Sequence, residues 1–301
     1  MYTVELEKVR KTFDRTIAVD DLSLQIPPGR IFGLLGPNGA GKTSTIRMMI
    51  GMMMPDSGVV NMFGSPFQRK ALARVGYLPE ERGLYKKMKV QEQLALFGQL
   101  HGLSAQESNT RARKWAERFE IDGWLGKKAD ELSKGMQQKI QFIATLLHDP
   151  DFVIMDEPFS GLDPVNSTLL KDALMEMKEA GKTILFSSHR MDQVEKLCDS
   201  ICLVNHGRAV LQGDLKSIKA SYGKNHVQIE YEGKADVLDD KSLVASYNDY
   251  GNYVEARLAP GADAQKLLHQ ALTGARINRF ELMEPSLEEI FIDVVGGKAD
   301  A

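Results

Sequence analysis

Gly36-Pro37-Asn38-Gly39-Ala40-Gly41-Lys42-Thr43 decides the reading of this chain. It follows the apolar run Ile31-Phe32-Gly33-Leu34-Leu35 and precedes Ser44-Thr45-Ile46-Arg47-Met48-Met49-Ile50. That order predicts a buried strand, a glycine-rich turn and a helix. The turn has the phosphate-loop spacing G-x-x-x-x-G-K-[ST]. Its glycines let the backbone wrap an anion and turn several N–H groups inward. The helix that follows aims the positive end of its dipole at a bound phosphate. Lys42 offers a compact cation to β- and γ-phosphates, and the Thr43 hydroxyl can ligate Mg²⁺. Gly36 through Ser44 are thus candidate nucleotide-binding residues. A phosphate loop by itself leaves a kinase, a GTPase, a motor and a transporter subunit all open.

The surrounding chain narrows the class. Its 301 residues allow one large domain or two smaller ones. With 43% hydrophobic and 26% charged residues it has the composition of a soluble globular protein. The net charge of -3 argues against a chain-wide nucleic-acid or membrane-surface patch. The longest apolar stretch, Ile46 to Met54, is broken by Arg47 and Gly51 and is too short to span a bilayer. The alternating start Met1-Tyr2-Thr3-Val4-Glu5-Leu6-Glu7 reads as a strand, without a signal-peptide layout. Cys198 and Cys202 lack zinc or redox spacing and read as reduced, buried thiols of a cytosolic protein. The methionine clusters Met48-Met49 and Met52-Met53-Met54 read as adaptable core packing.

Organisation follows from periodicity. Residues 1 to about 30 alternate as strands, and Ser57 to Phe63 forms another. Residues 86–150 change to helical spacing, with helices over Val90–Leu100 and Ser104–Phe119 and a stop at His148-Asp149-Pro150. Phe152–Met155, Thr183–Phe186 and Ile201–Val204 are short buried strands, with a helix over 165–180 ended by Gly181. Strands alternating with helices predict a parallel α/β core. The tail, 221–301, reads as a small α+β domain. Its strands are His226–Tyr231, Tyr253–Leu258 and Ile277–Met283, with a helix over Ala262–Thr273. Ser286 and Glu289 have capping-box spacing at the start of a last helix.

Downstream of the phosphate loop, Phe152-Val153-Ile154-Met155-Asp156-Glu157 places two carboxylates at a strand end. Ligands of open parallel sheets bind at such carboxyl ends. Asp156 is placed to hold a Mg²⁺ shell and Glu157 to polarise an attacking water. Pro158-Phe159-Ser160-Gly161-Leu162-Asp163-Pro164 follows at once. Leu132-Ser133-Lys134-Gly135-Met136-Gln137-Gln138 opens a helix upstream, and Ser187-Ser188-His189 ends a strand downstream.

With these motifs in this order over its first ~220 residues, the chain resembles the ATP-binding-cassette (ABC) ATPases. The resemblance implies a parallel-sheet core with an antiparallel β subdomain and a helical subdomain, over residues 1–220. It makes Gly36–Thr43 the Walker A loop and Met155-Asp156-Glu157 the end of Walker B. Leu132–Met136 becomes the signature loop, Ser160–Asp163 the D-loop, and His189 the histidine that senses the γ-phosphate. It places Phe13 against adenine. It also implies that Ser133 and Gly135 complete the ATP site of a second copy of the chain, making a homodimer around two nucleotides.

Three departures stand out. The usual signature Leu-Ser-Gly-Gly-Gln reads Leu132-Ser133-Lys134-Gly135-Met136. The glutamine that the family places before its helical subdomain is Glu80, a carboxylate able to bind Mg²⁺ or position water but repelling the γ-phosphate. Lys134 across the dimer is expected to offset it. The third is the C-terminal domain. Its Glu284-Pro285-Ser286-Leu287-Glu288-Glu289-Ile290-Phe291, with Tyr77-Leu78-Pro79-Glu80-Glu81-Arg82-Gly83-Leu84-Tyr85, resembles the drug, sodium and lipid exporter branch. That branch implies an ATPase subunit on the cytoplasmic face of the membrane, docked through Glu81–Met88 to a separate integral-membrane subunit. Catalysis would fall to Glu157, His189 and Lys42, and metal binding to Thr43, Glu80 and Asp156. A soluble cassette ATPase of translation or DNA repair usually carries paired cassettes, a coiled coil or zinc cysteines, none of which occurs here. A module that holds ATP without turnover is the other alternative. No guanine-reading N-K-x-D motif is present.

Overall fold

The computed structural model describes residues 1–81, 83–233 and 236–296. Arg82 of the Tyr77–Tyr85 stretch lies outside the described residues, as do the last residues of the tail. Two compact units emerge, Met1–Gly213 and Asp214–Ala301. The division falls before the helix Leu215–Tyr222, whereas the sequence places it near that helix's end; no compositional break marks the earlier point.

In the first unit, β1 (Val4–Phe13) and β2 (Thr16–Ile26) form an antiparallel hairpin, with Val4 opposite Ile26 and Phe13 opposite Thr16. β3 (Ile31–Leu35) is buried at all five positions, and α1 (Lys42–Met49) follows it. β4 (Ser57–Met62) and β5 (Ser65–Pro66) extend the hairpin into a sheet of order β2-β1-β4-β5. β6 (Val75–Leu78) leads to three helices, α2 (Val90–Leu100), α3 (Ala105–Arg118) and α4 (Lys134–Leu146). Then come β7 (Phe152–Asp156), α5 (Pro164–Glu179), β8 (Thr183–Ser188), α6 (Met191–Leu197), β9 (Ser200–Asn205) and β10 (Arg208–Asp214).

The six-stranded sheet has the order β10-β9-β3-β8-β7-β6. β3 runs parallel to β8 and β9, and β7 parallel to β6 and β8. Strands buried on both faces need continuous apolar runs, which is what β3 and β7 supply. The register decides where the chemistry falls. Leu35 pairs with Ser188, and Asp156 with Ser187, so three carboxyl ends come level at one edge of the sheet. Met48 and Met49 are buried in the core beneath, but Met52 and Met54 are exposed, contrary to the packing read from the sequence. Gly51, at φ +66, ends the helical register there. Cys198 and Cys202 are free and buried, as expected; burial raises both thiols, Cys202 to about 12.

The second unit begins with α7 (Leu215–Tyr222), followed by β11 (His226–Gly233), β12 (Val244–Asp249), β13 (Val254–Leu258), α8 (Ala264–Gly274), β14 (Ala275–Met283) and α9 (Leu287–Gly296). Its sheet has the order β12-β13-β11-β14. The sequence misses β12 because only Val244 in it is buried, leaving no alternation to read. The Ser286–Glu289 capping box forms, with Glu289 N–H donating to Ser286 Oγ at 3.2 Å. Glu289 also meets the buried His226 at 2.9 Å, pinning α9 to β11. Burial opposes ionisation of Glu289, yet the His226 and Ser286 hydrogen bonds prevail and hold its carboxyl at about 2.

Candidate nucleotide site

The loop between β3 and α1 is shaped by backbone crowding. A Cβ on Gly36 would lie 2.2 Å from the Val204 carbonyl oxygen, and one on Gly41 would lie 2.3 Å from that of Ala18. Both glycines have positive φ, so no other residue fits either place without strain. Lys42 opens α1 and is nearly buried. Its Nζ donates to the carbonyl oxygens of Gly36 at 2.8 Å and Pro37 at 3.2 Å, folding the loop back on its own lysine.

Across the loop, β7 leads into the two carboxylates, Asp156 and Glu157, and β8 sets Ser187 and His189 beside them. Ser187 is fully buried. Its Oγ donates to Asp156 Oδ1 at 2.5 Å and accepts from the Glu157 N–H at 3.0 Å, so one hydroxyl fixes both carboxylate residues. The other Asp156 oxygen, Oδ2, is buried without a hydrogen-bond partner among the described residues. Burying an unpaired carboxylate oxygen is costly, and a hard cation is the natural partner for it. Glu157 has φ +50, the left-handed region that non-glycine residues occupy at a cost of about 1–3 kcal/mol, often at functional sites. That turn aims its carboxylate at two cations or donors. Oε1 lies 3.0 Å from His189 Nδ1 and 3.7 Å from Lys42 Nζ.

These groups surround an open cavity of about 350 Å³, lined by Ala18, the loop from Asn38 to Ser44, Glu80, Asp156, Glu157, Ser160 and His189. Most of the residues singled out from the sequence meet here. Gly36 and Pro37, at the start of the loop, and Phe13 are not among the lining residues; Phe13 is 44% exposed at the hairpin end, with Lys11 Nζ 5.9 Å from its ring centre. Ser133 and Gly135 also lie away from the cavity of their own chain. Ser133 caps α4, its Oγ accepting from Met136 N–H at 3.3 Å. Sequence reasoning gave no role to Ala18 or Ser187. Ala18 carries no chemical signal, and the sign for Ser187 was a hydroxyl at the end of an otherwise apolar strand.

A second cavity of about 280 Å³ includes Tyr77, Leu84, Phe97, His101, Gln141 and His148 in its lining. The His101 and His148 rings stack 3.7 Å apart, and His148 Nε2 lies 3.1 Å from the Val75 carbonyl oxygen. Burial lowers both imidazoles, and His101 adds to the effect on His148, which falls to about 4.

The family model of the ABC transporter matches residues 19–160, which hold the phosphate loop and both carboxylates. Over 291 residues the chain is 45% identical to an uncharacterized ABC transporter ATP-binding protein, YhaQ, of Bacillus subtilis, covering 97% of this chain and 98% of that protein. The chain belongs to the ABC transporter ATP-binding family. It is an ABC ATPase. A second model, the C-terminal domain of ATP-binding proteins like DrrA1-3, matches residues 213–295. The ATPase is also 33% identical over 297 residues to Nod factor export ATP-binding protein I of Paraburkholderia xenovorans, covering 97% of each. Among solved structures it resembles an ATP-binding subunit of an ABC transporter, at TM-score 0.68 and 30% identity over 73% of this chain and 93% of that one. It also resembles cbiO1 of Clostridium perfringens, at TM-score 0.65 and 26% identity over 73% and 91%. Among the described residues, no helix is long and apolar enough to cross a membrane.

Proposed function

We propose that this ABC ATPase hydrolyses ATP in the cavity between the phosphate loop and the ends of β7 and β8, and that the cycle drives a separate integral-membrane subunit. One observation carries the reading: Lys42 and His189 converge on Glu157, beside an unpartnered Asp156 oxygen. The loop N–H groups from Asn38 to Ser44 cradle the phosphates, and Lys42 exchanges its two loop carbonyls for phosphate oxygens. Glu157 takes a proton from the attacking water. His189 orients that carboxylate and meets the γ-phosphate. Asp156, Thr43 and Glu80 form an oxygen donor set suited to Mg²⁺, which when bound would neutralise phosphate charge. Phe13 offers an exposed aromatic face to adenine.

Ser133 and Gly135 of a second copy close the site, so ATP favours a closed homodimer and hydrolysis reopens it. The relatives named for Nod factor export favour an exporter, held at the cytoplasmic face by its membrane subunit. The test is phosphate release by the assembled complex. Hydrolysis that needs Mg²⁺ and is lost in Glu157→Gln supports the reading; ATP binding without turnover in the complex overturns it in favour of a regulatory module.

A further inference from the structure

We infer that Glu80 makes nucleotide binding conditional on a divalent cation, so that the free site rejects ATP that arrives without one. The inference rests on the nucleotide reading above and concerns the charge of the cavity that reading uses. Among the described residues, three carboxylates, Glu80, Asp156 and Glu157, line it against the one ammonium of Lys42. ATP brings further negative charge to the same space. Asp156 and Glu157 have their own attachments: Ser187 holds the first, and His189 and Lys42 face the second. Glu80 is exposed at its edge of the cavity. Burial chiefly, then the field of Asp156 and last that of Glu80, raise the half-buried Tyr77 hydroxyl.

The unpartnered Asp156 Oδ2 indicates what relieves this excess. A divalent cation there answers the buried oxygen and screens Glu80 from the phosphates. Without the cation, Glu80 repels the triphosphate directly, and one added charge at close range changes affinity by about tenfold or more. An amide at position 80 would still offer an oxygen to the cation but would remove the repulsion. The two residues therefore differ most when the cation is absent.

The experiment is equilibrium binding of ATP to the purified full chain, once with excess Mg²⁺ and once with EDTA. In the unaltered protein the dissociation constant rises by more than about tenfold in EDTA. Glu80→Gln narrows that ratio by about tenfold, by tightening the EDTA value; Glu80→Ala tightens the EDTA value equally but also weakens the Mg²⁺ value, since it removes an oxygen donor. Glu81→Gln, which removes a neighbouring charge outside the cavity lining, leaves the ratio as it was. The inference is overturned if neither Glu80 variant tightens the EDTA value, or if Glu81→Gln tightens it equally. Failure of the underlying reading looks different: Lys42→Ala would then bind ATP with Mg²⁺ as tightly as the unaltered chain.

Discussion

Glu157 Oε1 stands 3.0 Å from His189 Nδ1, the two side chains projecting from the ends of the neighbouring parallel strands β7 and β8. A carboxylate held by an imidazole on one side and by Lys42 at 3.7 Å on the other is oriented before any substrate arrives. Glu157→Gln keeps the shape and the hydrogen-bonding reach but cannot accept a proton from water. Turnover should fall by about 10²–10⁴-fold while ATP affinity stays within a few-fold. His189→Ala should lower kcat with a smaller effect, since the proposed base, Glu157, survives without the imidazole beside it. Parallel measurements of phosphate release and nucleotide binding check both. Equal loss of binding in Glu157→Gln would show that the residue holds ATP rather than activating water.

Ser187 gives a sharper test of the same geometry, because its hydroxyl serves Asp156 and Glu157 at once. Ser187→Ala leaves a second Asp156 oxygen unpaired and frees the strained Glu157 backbone. Removing one partner of a buried carboxylate costs about 1–3 kcal/mol. The Mg²⁺ concentration for half-maximal hydrolysis should rise and kcat should fall together, by roughly tenfold or more. Ser187→Thr, which keeps the hydroxyl, should restore both. A change in melting temperature with unaltered Mg²⁺ dependence would reduce Ser187 to a packing role.

Acid should destabilise the two units in different pH windows. His148, lowered to about 4 from 6.5, resists a proton that the unfolded chain accepts, so stability of the first unit falls as pH drops from 6.5 towards 4. Glu289, held at about 2 against 4.5, contributes stability that is complete above 4.5 and is lost as pH falls towards 2. Urea unfolding followed at several pH values should show His148→Gln flattening the upper window only and Glu289→Gln the lower only. If either substitution flattens both windows, these two groups do not govern acid sensitivity separately.

The phosphate loop and the strand ending in Asp156-Glu157 were legible because each combines a residue type with a spacing that few other chemistries need, whereas His189 was reached only through the family resemblance. The core strands were legible for a simpler reason: β3, β7 and β9 are almost wholly apolar. What stayed hidden depends on pairing between distant segments. The Ser187 hydroxyl acquires its role only because β8 lies in register with β7, and Ala18 lines the cavity only because β2 passes over Gly41. The exposed strand β12 has no apolar face to announce it, and the tilt of Glu157 to φ +50 leaves no mark on the sequence.

The relation between Glu80 and Lys134 tests whether the site is completed by a second copy. Within one chain Glu80 lines the cavity, while Lys134 opens α4 beside Ser133 and does not. If the signature loop of a partner closes over the nucleotide, Lys134 brings a cation to the phosphates that Glu80 repels. Glu80→Gln should then raise ATP affinity and make Lys134 less important, whereas Lys134→Gly alone should slow hydrolysis. A double-mutant cycle on turnover should show a coupling of about 0.5–3 kcal/mol between the two positions. Turnover per subunit should also fall on dilution below the dimer dissociation constant. Additive effects in the cycle, together with a specific activity that stays flat on dilution, would mean that each chain hydrolyses ATP alone and that Lys134 acts elsewhere.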